Sequence, residues 1–361
     1  MDPTSATLVP AVRHERAARY VSQFHDLTAL VKDADLMGRR YGFYLGSLAV
    51  AAAALVSIWV GVVLLGDTWL QLLLAAALGL VAAQLGFLGH EACHRQIFAS
   101  PRRNEWAGRV LSGLCVGISY GWWMTKHTRH HANPNKIDKD PDIRSGALAF
   151  SAEAAETRQG LAARVMRWQG IFFLPLLALE GLSLHASSVR YVLGRQPVKN
   201  RGAEISFLAV RLLGFPAVAF WLLPPGMAVA FIGVQVGVFG FLLGGAFAPN
   251  HIGMPVVPRD LKMDFLRRQV LMSRNISGGP VVRFLMGGLD TQVEHHLFPG
   301  MARPNLRRAQ LIVRAYCAEH RITYTETTLA QSYVVILRYL NKVGLKQRDA
   351  FACPLAQQIR S

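Results

Sequence analysis

The sequence predicts an all-α integral membrane protein, with four transmembrane helices in two hairpins and a cytoplasmic helical cap. Three observations predict it. Hydrophobic residues fill 52% of the 361 positions and mean hydropathy is positive, at +0.26. Four apolar stretches approach or exceed the roughly 20 residues that a helix needs to cross the hydrocarbon core. Basic residues are all but excluded from those stretches and gather between and beyond them, as the retention of Lys and Arg on the cytoplasmic side requires.

The N-terminal segment, residues 1–42, carries His14, Glu15 and Asp26 ahead of any apolar run. That pattern does not fit a cleaved signal peptide, so the first apolar segment is expected to remain in the chain. The first hairpin comprises spans at residues 43–65 and 69–89, both free of charge, joined by Gly66-Asp67-Thr68. The second pairs residues 205–223, whose single charge is Arg211, with residues 226–248, across Pro224-Pro225. Gly, Asp and Pro suit tight reversals between antiparallel neighbours. Of the 39 basic residues, 6 precede the first hairpin, 16 lie between the hairpins, 16 follow the second and one is Arg211. Both termini and the central segment are therefore expected in the cytoplasm.

Two further apolar stretches, Val110 to Ile118 and Ile171 to Leu179, are too short to cross and are expected to lie at the interface or beneath the bundle. The membrane domain is drawn over residues 43–304. The remainder, residues 305–361, reads as cytoplasmic helices, with Thr327 or Thr328 capping a helix that begins at Leu329.

Composition excludes several functions. A net charge of +17 could serve nucleic acid, but no basic folded module accompanies it, so no nucleic-acid partner is expected. Cys93, Cys115, Cys317 and Cys353 have no paired spacing, which argues against a disulfide framework or a thiolate zinc site.

Eight of the twelve histidines fall in four places. The second span ends in His90-Glu91-Ala92-Cys93-His94, and His127-Thr128-Arg129-His130-His131 follows; after the fourth span come Asn250-His251 and Gln292-Val293-Glu294-His295-His296. Residues three and four apart share a helix face, so each box is a chelating edge. The topology, obtained without these residues, puts all four places on the same side at a similar depth. The cap is thus expected to carry a metal site. Eight imidazoles exceed what one tetrahedral or octahedral ion can use, which favours two metals, while imidazole alone does not choose among iron, copper, nickel and zinc. The first box also matches the zinc-protease pattern of two histidines around a general base, with Leu289-Asp290 able to supply a third ligand. That reading leaves His127, His130, His131, His251, His295 and His296 without a role. A metal-binding or transport protein without turnover is a further alternative.

As a set, the boxes resemble the membrane fatty-acid desaturases, which are marked by His-x3-4-His, His-x2-3-His-His and His/Gln-x2-His-His in this order. The resemblance covers roughly residues 40–310. Flanking residues are similar too: Trp122-Trp123, Asn133-Pro134-Asn135, Asp140-Pro141-Asp142 and Leu297-Phe298-Pro299. Gln292 at the head of the third box looks like the front-end and actinobacterial acyl-CoA or acyl-lipid branches.

The resemblance implies a di-iron catalytic centre with His90, His94, His127, His130, His131, His295 and His296 as ligands, His251 as an additional one, and Gln292 bound weakly or through water. Glu91 and Glu294 become candidate acceptors for imidazole N–H groups, which metal-bound histidines usually need. Asp138 to Asp142 either orients a ligand or forms a solvated loop. His185 is expected in an interfacial core, and His14, His25 and His320 at the surface.

The implied reaction uses two Fe, O2 as co-substrate and two external electrons to introduce a cis double bond into an acyl-CoA or acyl-lipid. The same boxes also serve hydroxylases, alkane oxygenases and ketolases. The chain shows neither a dinucleotide-binding glycine fingerprint nor a His-Pro-Gly-Gly haem signature, so a ferredoxin or a flavin/iron-sulfur reductase is the expected donor. The expected setting is a lipid bilayer, here a bacterial inner membrane, with the active site facing the cytoplasm.

Overall fold

A computed structural model describes residues 22–144 and 146–346. His14, Cys353 and the outer parts of the expected terminal segments lie outside the described residues. Residues 22–33 are helical and form α1. The first hairpin follows as α2 (Tyr41–Leu65) and α3 (Gln71–Cys93). Helix α4 (Pro101–Gly108) runs into a π-helical segment (Arg109–Val116), and a left-handed Gly117 separates it from α5 (Tyr120–Ala132). Short helices α6 (Ala152–Glu156) and α7 (Gly160–Met166) lead to α8 (Gln169–Leu193). One arm of the second hairpin is α9 (Arg201–Ala209), a π-turn (Val210–Gly214) and α10 (Phe215–Leu222); the other is α11 (Pro225–His251). Then come α12 (Phe265–Leu271), α13 (Pro280–Leu285), α14 (Gln292–Leu297), α15 (Arg303–Glu319) and α16 (Leu329–Gly344). The sheet found among the described residues is one parallel pair, β1 (Asn275–Ser277) with β2 (Glu326–Thr328), in which Ile276 faces Thr327.

The protein is thus all-α and has the apolar helices of a membrane protein. Helix α2 is apolar around its circumference and leaves Val50 and Leu64 70% and 78% exposed, the state of a helix whose solvent is lipid. The reversal after it is closed from within: Gly66 takes a positive φ of 60°, and the buried Gln71 amide donates to Val62 O and Gly66 O, both at 2.8 Å. Small residues bring the central helices together. A Cβ at Gly79 of α3 would stand 2.8 Å from the Gln235 carbonyl of α11, and one at Gly240 of α11 would run into the backbone of Gly181 in α8.

Among the described residues, five helical stretches are long and apolar enough to cross a membrane: α2, α3, α8, α9 through α10, and α11. Four coincide with the expected spans. The fifth, α8, differs from the short interfacial piece expected at Ile171–Leu179, because the helix continues for 25 residues past Glu180, His185 and Arg190. Helices α3 and α11 also outrun the spans drawn at residues 69–89 and 226–248, ending at Cys93 and His251. The extra turns lift the first histidine box and His251 onto helix termini.

Two cores flank these termini. Leu27 and Val31 of α1 pack with Leu266 and Val270 of α12, Val293 and Leu297 of α14, and Leu306 and Val313 of α15. Helix α16 packs Ile336, Tyr339 and Leu340 against Phe173 and Leu177 of α8. Its start is fixed by a capping box, Thr328 with Gln331, at one of the two threonines expected to cap it.

Candidate metal centre

Four elements deliver the eight clustered histidines. The last turn of α3 presents His90, with His94 as its C-cap; α5 presents His127, His130 and His131; α11 ends in His251; α14 carries Gln292, His295 and His296. Helix α5 is started by Ser119, whose hydroxyl accepts from Trp122 N at 3.1 Å and donates to the buried Glu204 carboxylate at 2.5 Å. That anchor sets the rotation of α5 and hence the face its histidines share.

The rings sort into two groups. His90, His94, His127, His131 and His295 form one, and His130, His251 and His296 the other; within each, the candidate ligand nitrogens lie within 4.8 Å of one another. In the first, His127 Nε2 stands 2.8, 2.9 and 3.0 Å from Nε2 of His90, His94 and His131, and His295 Nε2 lies 3.2 Å from His131 Nε2. In the second, His130 Nε2 and His251 Nε2 are 3.3 Å apart, and His296 Nε2 is buried without a hydrogen-bond partner. Gln292 joins the second group through an amide contact with His251 Nε2 at 2.9 Å, while its Oε1 accepts from Asn250 at 3.2 Å.

In the second group the outward nitrogens are hydrogen-bonded, which leaves the inward ones free to hold a cation. His130 Nδ1 donates to Asp140, 3.1 Å from each carboxylate oxygen, with Asp142 at 3.3 Å; His251 Nδ1 donates to Met272 O and His296 Nδ1 to Gln269 Oε1, both at 2.9 Å. A neutral imidazole has one N–H, so these bonds assign the proton to Nδ1 and turn three Nε2 lone pairs into one buried space, where that of His251 meets the Gln292 amide and that of His296 has no partner. The lone pairs of His130 and His251, 3.3 Å apart, repel. Burial pushes the imidazoles of His127, His131, His295 and His296 well below their ordinary pKa, and neighbouring rings add to the shift. For His130 burial acts in the same direction, but Asp140 and Asp142 outweigh it and the net shift is upward. An all-imidazole donor set of this kind fits first-row divalent metals, and the split into two groups fits two ions.

All nine residues singled out as metal ligands in the sequence are therefore brought together. The expected roles of Glu91 and Glu294 are corrected: neither touches an imidazole nitrogen. Glu91 pairs with Arg303, joining the first box to the start of α15. Glu294, fully buried, accepts from Asn275 at 2.7 Å and Tyr324 at 2.7 Å. Burial pushes its carboxyl up to about 7, with those two donors acting against the shift. The acceptors are instead Asp140, inside the loop that sequence left open between orienting and solvated roles, and Gln269, which no motif marks. Gln269 is held in turn by donating to His131 O at 2.9 Å. Asp290, the third ligand of the protease alternative, faces Arg283 at 3.8 Å and belongs to neither histidine group. Among the others, His25 is exposed as expected, His320 is partly buried against Tyr316, and His185 donates toward Val116 O at 3.0 Å while stacking on Phe239.

A cavity of about 390 Å3 opens beside both groups. His127 from the first and His130 and His251 from the second reach its wall, together with Leu177, Leu184, Leu243, Phe247 and Tyr339; Lys126, Asp142 and Glu180 form one charged corner. Trp123 stacks on His127 at 4.8 Å between centroids and closes the wall.

Comparison with known proteins places this constellation. A family model described as Fatty acid desaturase matches residues 67–328. The chain is 32% identical over 279 residues to an acyl-lipid (9-3)-desaturase of Physcomitrium patens, covering 75% of this chain and 53% of that protein. It is 28% identical over 302 residues to a Delta(8)-fatty-acid desaturase of Helianthus annuus, with 80% and 66% covered, and 28% identical over 284 residues to the Delta(6)-fatty-acid desaturase fat-3 of Caenorhabditis elegans, with 75% and 64% covered. The chain thus spans about half to two thirds of these relatives.

Proposed function

Because the chain belongs to the fatty acid desaturase family, we propose that it is an oxygen-dependent acyl desaturase whose two histidine groups each hold one iron. The observation that carries this reading is the shared wall: histidines of both groups border one largely apolar cavity. Unactivated methylenes offer no acidic proton and no electrophilic centre, so acid–base or nucleophilic side chains cannot open them. Two bound irons would supply the oxidising power drawn from O2. In the net reaction two vicinal C–H bonds break and a cis C=C forms. O2, two external electrons and two protons leave with those hydrogens as two waters.

The chain's own residues do the rest. His90, His94, His127, His131 and His295 hold one ion, and His130, His251 and His296 the other, with Gln292 beside it. Asp140, Gln269 and the Met272 carbonyl fix the tautomer and direction of the second set. Leu177, Leu184, Leu243 and Phe247 exclude water and hold the acyl chain extended beside the ligands.

We place the histidine-bearing end of the bundle, with both termini, in the cytoplasm of a cell whose inner membrane is crossed by the two hairpins, α2 with α3 and α9 through α10 with α11, because the basic residues lie at that end. The same charge attracts an acidic electron carrier, a ferredoxin or flavin/iron-sulfur reductase, and an acyl-CoA or acyl-lipid substrate. Gas chromatography of lipids from cells expressing the protein with a reductase tests the reading: a new unsaturated acyl chain is expected with the wild type and not with His130→Ala. The same product from His130→Ala would refute the assignment of the site.

A further inference from the structure

The cavity is apolar along most of its wall and charged at one corner. We propose that Lys126 is its acyl-head anchor: the ammonium donates to the carbonyl oxygen of a neutral acyl ester or thioester and thereby fixes which carbons lie against the histidines. This rests on the reading of the cavity as an acyl slot.

Position is the first argument. Lys126 precedes His127 and stands four residues, about 6 Å of rise, before His130, so one rigid helix carries the anchor and candidate ligands from both groups. A single carboxylate ties them further: Asp142 Oδ1 lies 2.8 Å from Lys126 Nζ, and Asp142 Oδ2 lies 3.3 Å from His130 Nδ1. The ammonium is therefore held at a constant offset from the site of chemistry.

Valence is the second. An ammonium has three donors. One meets Asp142, the face of Trp122 lies 5.6 Å away, and no other partner for Nζ is found among the described residues. Donors remain for a ligand in the cavity that Lys126 lines. An acyl chain has one polar end, and burying a carbonyl without a donor is costly, so that end goes to the charged corner and the methylenes to Leu177, Leu184 and Phe247.

Charge is the third, and it selects the head. Asp142 already neutralises Lys126, and Glu180 faces the same cavity with no hydrogen-bond partner among the described residues. Lys126 thus faces two carboxylates, Asp142 and Glu180, and the corner carries no net positive charge. A free fatty carboxylate gains nothing there and meets two carboxylates, whereas a neutral carbonyl needs only the N–H. The consequence is that the double bond keeps a constant distance from the carbonyl as chain length varies.

Binding of methyl palmitate, palmitate and hexadecane to the full chain in nanodiscs, read by displacement of a fluorescent fatty-acyl probe, tests the anchor. The wild type is expected to prefer methyl palmitate to hexadecane by about tenfold, the yield of one hydrogen bond to a charged group. Lys126→Met should bring that ratio to one and Lys126→Arg should keep most of it. Because the readout is a ratio, general loosening of the fold, which weakens both probes, does not imitate the effect. An unchanged ratio in Lys126→Met, no preference in the wild type, or tighter binding of palmitate than of methyl palmitate overturns the proposal. A Lys126-dependent ester preference in a protein that forms no double bond keeps the anchor and removes the desaturase reading. Double bonds formed by Lys126→Met at the wild-type position and efficiency do the reverse.

Discussion

Replacing Gln269 by leucine removes the acceptor for His296 Nδ1 and the donor to His131 O in one step, while leaving every ligand in place. Loss of such an outer partner typically costs 10- to 100-fold in metal affinity, so iron retained after dialysis should fall by about that factor; full retention would show that Gln269 does not orient its histidine. Glu91→Gln is expected to do the opposite. It breaks the buried pair with Arg303, at a cost of about 3–5 kcal/mol in stability, but should leave iron stoichiometry intact in whatever protein folds. Iron loss in a fully stable Glu91→Gln protein would return Glu91 to the role that sequence suggested. The histidines themselves were legible because helical spacing and a common predicted side converge on them. Gln269 was not, because a lone glutamine in Phe265–Leu271 has the pattern of an ordinary amphipathic helix, and its partner lies 27 residues away.

At the level of elements, the long apolar helices at the four expected spans were legible from hydropathy alone, and the full length of α8 was not, since Glu180, His185 and Arg190 interrupt the apolar run although the helix continues. The π-helical segments at Arg109–Val116 and Val210–Gly214 also escape a reading based on a 3.6-residue period. The second one turns Arg211 inward, where Nε donates to Cys115 O at 3.1 Å and Nη2 to Gln235 Oε1 at 3.2 Å, which explains how a spanning helix tolerates that charge. Close approach of α8 and α11 rests on Gly181 and Gly240. Gly240→Val forces the helices apart, and overpacking of this kind costs about 1–3 kcal/mol; a lowered thermal midpoint in detergent is expected, and an unchanged midpoint would contradict the tight crossing. Gly287, at a φ of 57° and against the ring of Phe87, should be as intolerant to alanine.

For the whole molecule, the histidine groups draw on α3, α5, α11 and α14, so a bound metal ties together segments separated by about 200 residues of chain. Ligand binding to the folded state alone stabilises by mass action, about 2.7 kcal/mol when free ligand exceeds the dissociation constant 100-fold. Chelation should therefore lower the unfolding midpoint, and His295→Ala should remove most of that difference. Fold class and the gathering of the histidines were legible because both depend on composition and spacing. The cavity and its charged corner were not, since Lys126, Asp142 and Glu180 meet only through the packing of α5 against α8. The central claim is that two histidine groups hold two irons. Metal analysis of the purified chain tests it most directly: about two irons per chain are predicted, falling in His130→Ala, whereas a single zinc per chain, unaffected by His130→Ala, would contradict it.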